Sequence, residues 1–190
     1  MIIGIILASG YSRRMKQNKL LLEVNGKVMI ERIIQVSKSA NLDDVILVYR
    51  NDKVKKIGKK FGIKTIYNSN AHLGQSTSLK LGVSEAKDAE AYMFIMGDQP
   101  FINKELINNL INVYRKNQFS IVVPNYNGRN GTPTIFPSRF RKELLKIEGD
   151  KGGREIIKNI ASAVVRVSID NELLGLDINT PNDLNSIKYL

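Results

Sequence analysis

The first nineteen residues constrain the fold more than any other part of the chain. Ile2, Ile3, Ile5, Ile6 and Leu7 form a short, unbroken, mostly β-branched apolar run, the pattern of a parallel strand buried on both faces. The run ends in Ser9 and Gly10, and Ser12, Arg13, Arg14 and Lys19 follow. Small residues at a strand end let backbone N–H groups approach a ligand closely, and the hydroxyl and cationic side chains surround that point with donors. A phosphate chain is the ligand such a loop suits. Neither G-x-G-x-x-G nor G-x-x-x-x-G-K-[ST] occurs, so a dinucleotide-binding Rossmann protein and a P-loop NTPase are disfavoured. The plainer alternative is a strand running into an ordinary basic surface loop.

The rest of the chain repeats the alternation that this opening implies. Val28 to Ala40 has helical spacing, Asp44 to Tyr49 is β-rich, Lys53 to Phe61 is a basic helix and Lys64 to Tyr67 a third strand. Further strands are expected at Ala91 to Met96, Ile121 to Val123 and Ala163 to Val167, with Thr134 to Phe136 returning as an edge strand. Strands alternating with helices make βαβ units, hence one α/β domain over 1–190: a mostly parallel sheet with helices on both faces, three layers in all. Ligands of such sheets gather at the carboxyl ends of the strands.

The residues just after each apolar run are therefore the candidates. Gln75, Ser76, Thr77 and Ser78 open a helix directly after Gly74; one of them serves as a cap, and the set could hold a phosphate or read a base edge. Asp98, in Gly97-Asp98-Gln99-Pro100, stands as an exposed acid at a strand end, where a divalent cation can be held by one or two carboxylates beside substrate phosphates. An Asx turn is the alternative for Asp98. Asp177 and Asn179 lie two apart, on one side of extended backbone, and could face the same cation. Thr180 and Pro181 then suit a helix cap and first helical position. Gly149 to Arg154 is a glycine-rich segment with a charged tip, read as a connection or a loop facing an anionic partner.

Composition removes several chemistries. There is no cysteine and His72 is the lone histidine, which excludes disulfides and thiol catalysis and argues against a His metal cluster or a serine triad. Acids and lysines must carry the chemistry. The net charge of +11 suits nucleic acid or polyphosphate, yet the lysines are spread and the aromatics are few and not interleaved with them, so nucleic acid is disfavoured. The run Lys53 to Lys60 reads as a solvated helix face. No apolar stretch reaches the length of a membrane span, and no signal peptide is apparent, so a cytoplasmic protein is expected.

Taken in order, LASGYSRRMKQNK (7–19), GQSTSLKLG (74–82), GDQP (97–100), GTPTIF (131–136), GDKGGR (149–154) and DINTPNDL (177–184) resemble the MobA-like nucleotidyltransferases. Among these, the chain is most similar to the molybdenum cofactor cytidylyltransferases. The resemblance implies a Rossmann-like domain that joins CTP to molybdopterin, releases pyrophosphate and uses Mg²⁺, with Mn²⁺ as a possible substitute. It implies that Ala8, Ser9 and Gly10 meet base and ribose, that Ser12, Arg13 and Arg14 surround the phosphates, and that Leu7, Gln75, Ser76, Ser78 and Gly97 complete the nucleotide site. Arg14, Lys19 and Asp98 would be catalytic, Asp98 with Asp177 or Asn179 would hold the metal, and Gly131, Asp150 and Arg154 would lie toward the acceptor. A molybdenum hydroxylase or its accessory protein would receive the product. Ser9 and Lys16 depart from the usual Leu-Ala-Ala-Gly and Arg-Met-Gly. Guanylyl members typically read Leu-Ala-Gly-Gly with Asp before the lysine, whereas Ser9 and Asn18 stand here, which favours CTP over GTP. The rivals are the guanylyl branch, a transferase acting on another small phosphorylated alcohol, and, outside enzymes, a nucleic-acid-binding protein or nucleotide sensor.

Overall fold

The computed structural model of the chain describes residues 1–15 and 17–186; Lys16, and with it the departure at that position, lies outside the described residues. The strands are β1 (Ile2–Ala8), β2 (Glu23–Val24), β3 (Lys27–Val28), β4 (Asp44–Tyr49), β5 (Lys64–Tyr67), β6 (Ala91–Met96), β7 (Ile121–Tyr126), β8 (Arg129–Asn130), β9 (Thr134–Pro137) and β10 (Val164–Ile169). The α-helices are α1 (Met29–Ser39), α2 (Asp52–Lys60), α3 (Gln75–Glu85), α4 (Lys104–Lys116), α5 (Arg141–Lys146), α6 (Arg154–Asn159) and α7 (Pro181–Ser186).

The main sheet runs β10-β7-β9-β6-β1-β4-β5, with β8 attached to β7. β1 lies at its heart, parallel to β4 and β6, and all seven of its residues are buried. Its side chains alternate between two cores. Ile2, Ile6 and Ala8 meet Ile30, Ile33 and Ile34 of α1, Val54 of α2 and Leu106 to Ile111 of α4. Ile3, Ile5 and Leu7 meet Leu79 and Val83 of α3, Leu144 of α5 and Ile156 of α6. Helices thus cover both faces, and the three-layer Rossmann-like α/β architecture read from the apolar runs is the one observed.

Local chemistry accounts for the boundaries. Asn51 and Asn103 cap α2 and α4, accepting from the Lys53 and Leu106 N–H groups at 2.9 and 2.8 Å. Two of the three Asn-Gly pairs, Asn25-Gly26 and Asn127-Gly128, take positive φ at both residues and turn the β2–β3 and β7–β8 hairpins, as type I′ turns require. On α2, Lys53, Lys56, Lys59 and Lys60 face water while Val54 is buried, so this basic run is a solvated face.

One strand sits elsewhere than expected. β9 is not an edge: it is inserted between β6 and β7, antiparallel to both, with all four residues buried. A stretch of three apolar or β-branched residues reads alike at an edge and in an interior, and the pairing order alone distinguishes them.

Candidate functional site

The loop after β1 folds back on itself. Ser12 adopts φ +51, its carbonyl accepts from the Met15 N–H at 2.9 Å, and its Oγ accepts from the Lys19 N–H at 3.2 Å. Lys19 is thereby returned to the strand end it left. There its Nζ donates to Asp98 Oδ2 at 2.5 Å and to Asn179 Oδ1 at 2.7 Å. Asp98 arrives from β6, whose following Gly97 N–H donates to the Leu7 carbonyl at 3.1 Å, and Asn179 from the C-terminal segment, where the Ile178 N–H donates to the Asp98 carbonyl at 3.0 Å. Three distant pieces of chain meet at one ammonium group.

Asp98 is not the exposed acid expected of a strand end. Its side chain is 13% accessible and that of Lys19 11%, because β1 and β6 end side by side and the 177–179 segment closes over them. Asp98 Oδ1 is buried without a hydrogen-bond partner. A carboxylate oxygen in that condition is costly unless something positive reaches it. Asp177 is an exposed residue. Partial desolvation of its carboxyl first, and the Asp98 carboxylate second, raise its pKa above the usual carboxylate value, opposed by the Gln99 amide, Lys19 and Arg154.

These oxygens fit a hard divalent cation. Among the described residues no group of three or more His, Cys, Asp or Glu side chains could hold a metal. A cation at Asp98 would therefore draw most of its shell from water and from phosphate oxygens, the mode Mg²⁺ favours.

Two cavities open from this point. The smaller, about 380 Å³, is lined by Leu7, Ser9, Gly10, Ser12, Arg13, Arg14, Lys19, Gln75, Ser78 and Asp98. The larger, about 1120 Å³, is lined by Gly131, Arg154 and Asp177 among others. Arg14, Asp98, Asp150 and Asn179 line both. Ala8, Ser76 and Gly97 line neither: all three are buried beneath the walls, where they pack or pair rather than face the cavity.

A buried polar network floors the smaller cavity. Asn68 Nδ2 lies 3.2, 2.9 and 3.0 Å from the hydroxyls of Ser9, Thr77 and Ser78, and the Ser9 and Ser78 hydroxyls bond each other. Thr77 Oγ1 gives its proton to the Gly74 carbonyl at 2.8 Å, so it accepts from Asn68. Of the two serine protons one is spent between the serines. The other has no acceptor within this network.

The N-terminus of α3 is differently used than its hydroxyls suggest. The Gln75 N–H donates to Asp150 Oδ1 at 3.2 Å and the Ser76 N–H to the Gly149 carbonyl at 3.1 Å. Gly74 permits this approach, since a Cβ there would stand 2.3 Å from the Gly149 carbonyl carbon, and its φ is +107. The loop at 149–153 thus takes the helix end and places Asp150 between the cavities. At the far end of the chain, Thr180 Oγ1 accepts from the Asp183 N–H at 3.2 Å, and Asp183 accepts from the Asn179 and Thr180 N–H groups, both at 2.8 Å. This reciprocal cap fixes the backbone that carries Asn179.

Several site residues escaped the motif reading. Asn68 is the first residue after β5, so inspection of every strand end would have found it. Tyr11 stands at the mouth of the smaller cavity, 42% exposed, with the Arg50 guanidinium carbon 4.0 Å from its ring centre. Nothing local in the sequence pairs those two.

Comparison with known proteins now bears on the site. Residues 4–165 match the MobA-like NTP transferase domain. The chain belongs to that family. It is 32% identical to the probable molybdenum cofactor guanylyltransferase of Natranaerobius thermophilus, covering 98% of this chain and 95% of that one. It is 27% identical to the purine catabolism protein PucB of Bacillus subtilis, over 98% and 96%. The crystal structure of Rv0371c from Mycobacterium tuberculosis superposes with a TM-score of 0.88 at 23% identity, covering 100% and 99%; the manganese complex of that protein gives 0.82 at 22%, over 98% and 97%. A MobA-like member is a nucleotidyltransferase by family. No helix among the described residues is long and apolar enough to cross a membrane.

Proposed function

We propose that the chain, acting as one cytoplasmic domain over 1–190, transfers CMP from CTP to the terminal phosphate of molybdopterin and releases pyrophosphate. The observation that supports this best is the meeting of two cavities at Asp98 and Asn179, with Lys19 bonded to both. A transferase needs a donor pocket and an acceptor pocket that share one reacting point, and here they do. A binding module for nucleic acid or a nucleotide sensor needs only the first.

In this reading the smaller cavity holds the nucleotide. Arg13 and Arg14 pair with the β- and γ-phosphates, and Lys19 balances charge on the α-phosphate. An oxygen of the acceptor phosphate, presented from the larger cavity by Arg154 and the loop at Gly131, bonds to the α-phosphorus as the bond to the bridging oxygen breaks. Pyrophosphate leaves with that electron pair, held by the two arginines. Positioning and charge neutralisation account for most of the rate. Asp98, with Asp177 and Asn179, would hold Mg²⁺ or Mn²⁺, which when bound neutralises charge on phosphate oxygens.

Support for CTP comes from the floor of the smaller cavity. The leftover serine proton is a donor, Asn68 Oδ1 is spent on the Asn70 N–H at 3.0 Å, and no carboxylate joins this network. Cytosine presents two acceptors, O2 and N3, to such a floor. Guanine presents two donors on its Watson–Crick edge and calls for a carboxylate. GTP remains the second reading, favoured by the guanylyltransferase relative. A molybdenum hydroxylase or its accessory protein would take the product from the open acceptor side. Pyrophosphate release with Mg²⁺, molybdopterin and either CTP or GTP tests both parts. Release with CTP is expected; release with GTP alone overturns the base assignment, and silence with both overturns the acceptor.

A further inference from the structure

Gln99 directly follows Asp98 and is one of the few buried polar side chains, 3% exposed. Both ends of its amide are engaged. Oε1 accepts from Thr132 Oγ1 at 2.8 Å, 33 residues away in sequence. Nε2 donates to the Gly175 carbonyl at 3.2 Å, 76 residues away. Polar groups buried together must find one another, because each left unpaired in the interior is costly. The length of one glutamine side chain therefore sets the distance between the turn carrying Asp98 and the segment carrying Asp177.

Two further contacts lie in parallel with this bridge. The Ile178 N–H bonds the Asp98 carbonyl at 3.0 Å, and Tyr126 OH donates to the Thr132 carbonyl at 2.9 Å. The Tyr126 ring packs so closely on Gly175 that a Cβ there would lie 2.6 Å from it.

We propose that Gln99 is a positioning residue: it holds Asp98 and Asp177 at the separation at which they share one divalent cation, and through Thr132 it ties that separation to the acceptor-side wall. This rests on the reading of Asp98 and Asp177 as cation ligands. Gln99 touches no reacting atom in this role; it acts through the two carboxylates.

The experiment is a titration of the intact protein with Mn²⁺, free ion being read by electron paramagnetic resonance, for the wild type, Asp177→Asn, Gln99→Leu and Thr132→Val, with the Tm of each. Gln99→Leu is expected to weaken Mn²⁺ binding about 10-fold, and saturating Mn²⁺ is expected to restore its pyrophosphate release toward wild type. Thr132→Val, which leaves the bond to Gly175 intact, is expected to shift affinity in the same direction by about 3-fold. If Asp177→Asn weakens binding while Gln99→Leu and Thr132→Val match the wild type, the positioning role is overturned and the cation reading stands. If Asp177→Asn itself binds as the wild type does, the cation reading falls and this role with it. Should Gln99→Leu fail to fold, an unchanged affinity in Thr132→Val overturns the proposal; turnover that excess Mn²⁺ does not restore overturns it as well.

Discussion

The two cavities are built from different stretches of chain and carry different charge. The walls of the smaller come chiefly from strand ends and the short loops after them, at 7–20, 71–78 and 96–98, and there Arg13, Arg14 and Lys19 face Asp98 and Asp150. The walls of the larger come mostly from the segments 126–134, 150–157 and 170–183, and there Arg14, Arg129 and Arg154 face Asp98, Asp150, Asp170, Glu172, Asp177 and Asp183. A chain of net charge +11 thus keeps an acid-rich larger cavity. The overall charge says little about either pocket; the local balance suits several phosphates on one side and, on the other, a ligand that brings hydrogen-bond donors with a single phosphate.

The sharpest break in this comparison comes at the shared point. Asp98→Asn keeps an acceptor for Lys19 but removes the charge, and turnover is expected to fall by about 10³-fold, measured as pyrophosphate release with far-UV circular dichroism unchanged. Asp98→Ala is the poorer probe, since it strands a Lys19 ammonium that is 11% accessible and so lowers stability as well. Next in size, Lys19→Met is expected to cut turnover about 10²-fold while nucleotide affinity by calorimetry changes by less than about 10-fold; equal losses in both would make it a binding residue only.

The charge asymmetry predicts a split between two arginines. Arg13→Ala should raise the KM for nucleotide about 10-fold and leave that for the acceptor, and Arg154→Ala should do the reverse. Steady-state kinetics with each substrate varied would collapse the two-cavity assignment if both variants moved the same KM. The smallest effect is at the C-terminal cap. N–H groups of Asn179 first, and of Thr180, hold the Asp183 carboxyl below its usual value, so its contribution is present at neutral pH and is lost as pH falls through the lowered value. Asp183→Ala is expected to cost about 1 kcal/mol at pH 7 and less in acid, by thermal melts at both pH values.

How much of this was legible in sequence depends on distance along the chain. β1 and its basic loop, the strand-end Asp98 and the Thr180-Pro181 cap are local patterns, and each is found where it was read. The burial of Asp98, the placing of β9 inside the sheet and the Asp150 contact with α3 depend on which segments meet, and periodicity carries no record of that. Ser76 shows the limit clearly. A serine in the first turn of a helix reads as a ligand group, but its N–H is taken by the Gly149 carbonyl of a loop that Gly74 lets in.

β9 sits between β6, which leads on to β1, β4 and β5, and β7, which leads on to β10, and it is antiparallel to both its neighbours. The strand that ends at the basic loop, β1, lies on one side of it with β6, whereas Tyr126 at the end of β7, which lines the larger cavity and not the smaller, lies on the other. Substitutions in β7 and the segments beyond it can thus remodel one wall of the larger cavity while β1 and the loop that follows it stay as they are.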